Sequence, residues 1–231
     1  MNKKFGFTLA EVLITLGIIG VVAAMTIPTL IANTNSAKFR SQFKKTISTL
    51  NQAGLMAQAP YDIDYSTLST ASAACTATAS PVDGTDTSIC AIFNGTLSGH
   101  TLSTTTPYAT APTVTTAPSE NAVYLTLADG SLFVFNGKAA ACTKAIGGGT
   151  VPTVCLGYID VNGATLPNKE VNCATAPATG EAVASTGTIA TTTCVVANDA
   201  NHMTDIYPVA IHDATVEPFT AAAKYVLTTS K

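Results

Sequence analysis

Three groups of residues in this chain could do chemistry. The first is Glu11, the only charged residue in an apolar run that opens at Gly6 and reaches Ile31. An ionisable group inside a membrane-length segment costs roughly 2.5–3.5 kcal/mol on insertion scales, so a chain that keeps one should have a partner for it. That requirement fits assembly better than simple anchoring. The second group is Asp160-Val161-Asn162-Gly163, with Pro167-Asn168 and Asp205 further on. Alternating Asp and Asn oxygens before a glycine turn are the hard ligands that calcium requires, and Asp160, Asn162 and Asp205 are the candidates. The fixed spacing and terminal glutamate of an EF-hand loop are missing, so the same residues also read as an Asx-type turn locking two strands. The third group is the six cysteines, Cys75, Cys90, Cys142, Cys155, Cys173 and Cys194.

Other patterns lead nowhere. Gly147-Gly148-Gly149 lacks the Lys-Ser or Lys-Thr of a phosphate loop. His202 and His212 lie near Asp205 and Asp213, but no serine or cysteine is placed as a nucleophile, and the expectation is a chain that is not an enzyme and needs no cofactor beyond the calcium alternative. From Thr46 onward five lysines face thirteen acidic residues, so the C-terminal portion should not attract nucleic acid, whose phosphates need clustered cations.

The elements that must position these groups follow from pattern. Residues 7–31 are long enough to span a bilayer as a helix, with soft points at Gly17, Gly20 and Pro28, and a bend or melted stretch is expected between Gly20 and Pro28. Lys3 and Lys4 precede the run and Lys38, Arg40, Lys44 and Lys45 follow it. Cations mark the cytoplasmic flank, so the two sets compete; we read the leader lysines as holding the N-terminus inside. The second basic group reads either as a solvated helix face or as a contact with lipid or a neighbouring subunit. With the remainder outside the cytoplasm, an even cysteine count favours disulfides. Sequential pairing, Cys75 with Cys90, Cys142 with Cys155 and Cys173 with Cys194, closes the shortest loops.

Phe39, Phe43, Ile47 and Leu50 recur at helical spacing, which continues the helix in amphipathic form to about Ala57, before Pro60. Residues 61–120, rich in Thr, Ser, Ala and Pro, read as a long surface loop carrying at most a short helix or strand. Val123–Leu127 and Leu132–Phe135 flank Asp129-Gly130 and predict a hairpin. Val154–Val161, Val195-Val196, Ile206–Ile211 and Tyr225–Leu227 are further strand candidates. The expected fold class is α+β, an antiparallel sheet laid against the second half of one long helix. The expected division is 1–6 leader, 7–31 membrane helix, 32–59 amphipathic helix and 60–231 head.

The N-terminus resembles a type IV prepilin or type II secretion pseudopilin. Met1-Asn2-Lys3-Lys4-Phe5-Gly6 looks like the short basic leader, and Phe7-Thr8-Leu9-Ala10-Glu11-Val12-Leu13-Ile14 follows the family pattern. The resemblance covers about the first quarter of the chain. It implies cleavage after Gly6 by a prepilin peptidase that also methylates Phe7, with Gly20 and Pro28 at positions where the family keeps a glycine and a proline. It implies that Glu11 pairs with the Phe7 amine of a neighbouring subunit. The implied partners are identical or homologous pilin subunits, an inner-membrane assembly platform, and membrane lipid before assembly. The implied location is the bacterial inner membrane and then an extracellular or periplasmic filament, with a minor pseudopilin of a type II secretion system as the alternative. The Asp160 to Asp205 stretch resembles one found in many pilin-like heads. A secreted binding protein cut after Val22-Ala23-Ala24 is the competing reading, though the Lys4-Phe5-Gly6 leader places its best cut before the apolar run.

Overall fold

The computed structural model describes residues 7–61, 88–118, 120–137, 142, 155–173, 194, 196 and 203–229. Gly6, Cys75, Gly147–Gly149, Val195 and His202, singled out above, lie outside them.

One helix, α1 (Leu9–Tyr61), carries both N-terminal segments. Its 53 residues extend about 80 Å at 1.5 Å per residue. Up to Ile31 its apolar side chains are exposed all round, whereas Phe39, Phe43, Ile47, Leu50, Ala53 and Ala57, spaced by three or four, are buried. The expected melted stretch is absent, and the helix runs unbroken through Gly20 and Pro28. One missing hydrogen bond at a proline does not outweigh the intact turns on both sides when no other chain competes for them. Thr26 Oγ1 donates to the Val22 carbonyl within this stretch, and Thr29 Oγ1, just past it, to that of Thr26.

Six strands form an antiparallel meander in chain order: β1 (Thr101–Ser103), β2 (Ala122–Thr126), β3 (Leu132–Asn136), β4 (Cys155–Asp160), β5 (Ile206–His212) and β6 (Thr215–Pro218). The predicted hairpin is β2–β3, with Tyr124 opposite Val134. Gly130, at φ 84°, supplies the left-handed residue of its turn, and Asp129 Oδ1 accepts from the Ser131 amide and hydroxyl. β4 and β5 match their sequence candidates closely.

Three expectations need correction. Tyr225–Leu227 is helical, inside α3 (Ala221–Thr228), because three alanines precede it and Thr220 Oγ1 caps the Ala223 amide. Val196 is buried but in no strand. The segment expected to be surface loop with a short helix or strand does carry a short helix, α2 (Ile89–Thr96), capped by Ser88, but Ile89, Cys90, Ala91, Ile92 and Phe93 are core and not surface. Five successive residues able to pack apolar surface outweigh the polar composition around them.

Both faces of the sheet are covered. Val123, Leu125, Phe133, Phe135, Ile159, Tyr207, Val209 and Ile211 pack on α1 and α2, with Phe43 stacked on Tyr207 at 4.2 Å and Phe93 edge-on to Phe133 at 5.2 Å. Tyr124, Leu132, Val134, Tyr158 and Ile206 point the other way, under Tyr108 and Val114 of the β1–β2 connection. α1 approaches the β5–β6 turn so closely that a Cβ at Gly54 would stand 2.6 Å from the Ala214 carbonyl oxygen. The Val216 amide donates to Asn51 Oδ1 beside it.

The structure joins Cys142 to Cys155 and Cys173 to Cys194, with Cα separations of 5.2 and 5.1 Å. Cys90 is also disulfide-bonded. Bridges that close loops of this size contribute on the order of 2–4 kcal/mol each.

Candidate functional site: a naked helix on a packed head

The N-terminal turn of α1 is built on a reciprocal cap. Thr8 N and Thr8 Oγ1 each donate to Glu11 Oε2 at 2.8 Å, and the Glu11 amide donates back to Thr8 Oγ1 at 3.3 Å. This is the Thr-x-x-Glu capping box, which satisfies amides that the first helical turn leaves free. Sequence reasoning looked for the partner of Glu11 in another chain and missed Thr8, though the three-residue spacing was there to read. Glu11 is exposed and Phe7 is 90% exposed.

From that cap to Ile31 the helix lies exposed, away from the described residues of the head. Val12, Leu13, Ile14, Ile18, Ile19, Val22 and Met25 are exposed in the single chain. A Cβ added at Gly17 or Gly20 would meet nothing within 4 Å, so no packing within this chain requires glycine at either position. The helix is long and apolar enough to cross a membrane.

The basic group past it divides into separate tasks. Lys44 Nζ donates to the Thr229 carbonyl at 2.9 Å, Lys45 Nζ pairs with Asp129 Oδ2 at 3.1 Å, and Arg40 is buried. Lys38 is exposed. Lys44 and Lys45 therefore fasten α1 to the head, which eases their conflict with the leader lysines over orientation.

Asp160 and Asp205, distant in sequence, meet under the β4–β5 loop, and both are fully buried. Asp160 Oδ2 accepts from the Tyr108 hydroxyl at 2.9 Å and Oδ1 from the Asn162 amide at 3.1 Å. Asp205 Oδ1 accepts from the Lys169 amide at 2.8 Å, and Oδ2 from the Asn168 amide at 3.0 Å and Asn162 Nδ2 at 3.4 Å. Burial and the neighbouring Asp205 push the Asp160 carboxyl up to about 7. Burial raises Asp205 too, against the amide bonds that favour its charge. Asn162 also donates Nδ2 to the carbonyls of Thr165 and Leu166. The three proposed calcium ligands are thus brought together, but Asn162 presents nitrogen and the carboxylates already accept from the chain, which is the donor set of an Asx-type lock. Among the described residues no group of three or more His, Cys, Asp or Glu could hold a metal ion.

The two described histidines serve local structure. His100 Nε2 is 2.8 Å from Asn94 Oδ1. His212 Nε2 lies 2.8 Å from Glu217 Oε1 and Nδ1 lies 3.6 Å from Asp213 Oδ2, and the Glu217 contact raises its pKa.

Residues 1–27 match the family described as the prokaryotic N-terminal methylation motif. This chain carries a prepilin-type cleavage and methylation signal. No curated protein and no solved structure matches the chain. The prepilin-type signal coincides with the capped, unpacked end of α1, and it marks a membrane-anchored precursor of the pilin and pseudopilin type. It implies processing by a prepilin peptidase and assembly with other pilin subunits, and it points to a structural role.

Proposed function

We propose that the chain is a structural subunit of a type IV pilus-like filament, cut after Gly6 and N-methylated at Phe7. The observation that carries this reading is the union of the prepilin-type signal with a 7–31 segment that is exposed and packs on none of the described residues of its head. An all-round apolar helix has two stable surroundings, lipid before assembly and other helices after it. In lipid and in a helical core alike Glu11 meets a low dielectric, where a carboxylate needs a cation. The methylated amine of Phe7 on a neighbouring subunit supplies one. Removing one member of a buried charge pair costs about 3–5 kcal/mol. Gly20 and Pro28 give the packed helices room and a point to adjust, and the head stays outside.

Glu11→Ala tests this. The variant should be processed and membrane-inserted like the wild type but lost from sheared filaments, as read by immunoblot of both fractions. Normal filament incorporation would remove the assembly role of Glu11.

A further inference from the structure

One end of the head comes down to the root of the membrane helix. Asn35 Nδ2 lies 3.8 Å from Met203 Sδ, only four residues past Ile31, the last residue of the apolar run. From there β5 climbs along α1, with Tyr207 on Phe43, and the turn after β5 reaches Asn51 and Gly54. The start of β5 is therefore the membrane-proximal end of the sheet. Four helical residues rise about 6 Å, and the headgroup layer outside a 30 Å hydrocarbon core is about 5–7 Å deep. Met203 accordingly sits at the outer edge of the headgroups when residues 7–31 span the bilayer.

The β4–β5 loop is pinned to this same end, because Asp205 holds the Asn168 and Lys169 amides two residues from Met203. Within it, two residues before Asn168, Leu166 is 83% exposed. Beyond the 7–31 run, only Leu55 and Met56 near the far end of α1 share that character among the described residues. Among the described residues the charges at this end are sorted by sign. Asp160 and Asp205 are buried, and Glu170 is engaged by the amide and hydroxyl of Thr115. Lys38 and Lys169 are exposed.

We infer that this rim, Leu166 with Lys38 and Lys169, rests on the anionic phospholipid surface of the membrane while the subunit awaits assembly. Leu166 enters the interface and the two lysines face lipid phosphates. The inference rests on the reading of 7–31 as the membrane span. A subunit held in this way has a fixed height and tilt in the bilayer, and it must give up these contacts as it leaves for the filament.

The chain has no tryptophan, so single-tryptophan variants report position directly. The full chain, one copy per nanodisc, is prepared with Leu166→Trp, Ile18→Trp or Leu55→Trp in phosphatidylcholine with or without phosphatidylglycerol, and quenched with brominated lipids. Leu166→Trp should shift to the blue in phosphatidylglycerol discs and be quenched by lipid brominated near the headgroup, while Leu55→Trp is not. Lys38→Gln with Lys169→Gln should reduce that quenching about twofold or more. In the unaltered chain, peptides covering 162–171 should gain hydrogen-exchange protection in phosphatidylglycerol discs. Leu166→Trp emission that matches Leu55→Trp, with Ile18→Trp quenched by deep bromines, would overturn the rim and leave the span standing. An unquenched Ile18→Trp would overturn both.

Discussion

The two halves of α1 share one continuous backbone and have opposite surroundings. From Leu9 to Ile31 the large apolar side chains are exposed, while from Phe39 to Ala57 one face is built into the core of the head. The difference lies in pattern. The first half is apolar on every side and contains two glycines with open space above them. The second alternates Phe39, Phe43, Ile47 and Leu50 with lysines and polar residues, so only one face can be buried. An element whose apolar surface its own chain leaves bare answers to what lies outside the chain.

The sharpest way to break the comparison is one large-to-small substitution in each half. Phe43→Ala removes a fully buried ring stacked on Tyr207 and should cost about 3–5 kcal/mol of head stability. Ile18→Ala should leave the unfolding midpoint of the detergent-solubilised chain unchanged. Chemical denaturation followed by head tyrosine fluorescence compares them, and equal destabilisation would mean that the halves are not independent.

How much of this was legible in sequence also divides along the chain. The helix, its change of character near residue 39 and the β2–β3 hairpin are local patterns, and each is found close to where its residues place it. Some of what was missed was local, and the rest depended on contacts far apart in sequence. Tyr225-Val226-Leu227 has strand-forming residues, yet an alanine run and a threonine cap decide for helix. The β1–β2 connection shows no periodicity, and only the distant Asp160 and Gly157 explain Tyr108 and Thr116, which bond to them. The meeting of Asp160 with Asp205 arises from the pairing of β4 with β5, which no local pattern announces.

That buried pair gives the head a pH response. Asp160 titrates near 7 in the fold against an ordinary value of 3.8, so the folded state holds a proton that the unfolded chain has lost. Its effect on stability is favourable at low pH and is lost as pH rises through about 7. His212, raised above 6.5 by Glu217, acts in the same direction, its contribution fully present below 6.5 and lost above its folded value. The head should melt at a higher temperature at pH 6 than at pH 8, by scanning calorimetry. Asp160→Asn should flatten that difference, and an unchanged slope would contradict the assignment.

The smallest effect expected is none. Because Asn162 presents its amide nitrogen to Asp205 and to the carbonyls of Thr165 and Leu166, calcium added to chelator-treated protein should leave the melting temperature unchanged. A dose-dependent rise would show that the loop rearranges into a calcium site.

The most direct test of the account is the mature N-terminus, determined by mass spectrometry of membrane and sheared-filament fractions. The account predicts a peptide beginning at N-methylated Phe7 in both. A peptide beginning near Met25 would contradict it, since the chain would then have been released by an ordinary signal peptidase and would have lost Glu11 with its anchor.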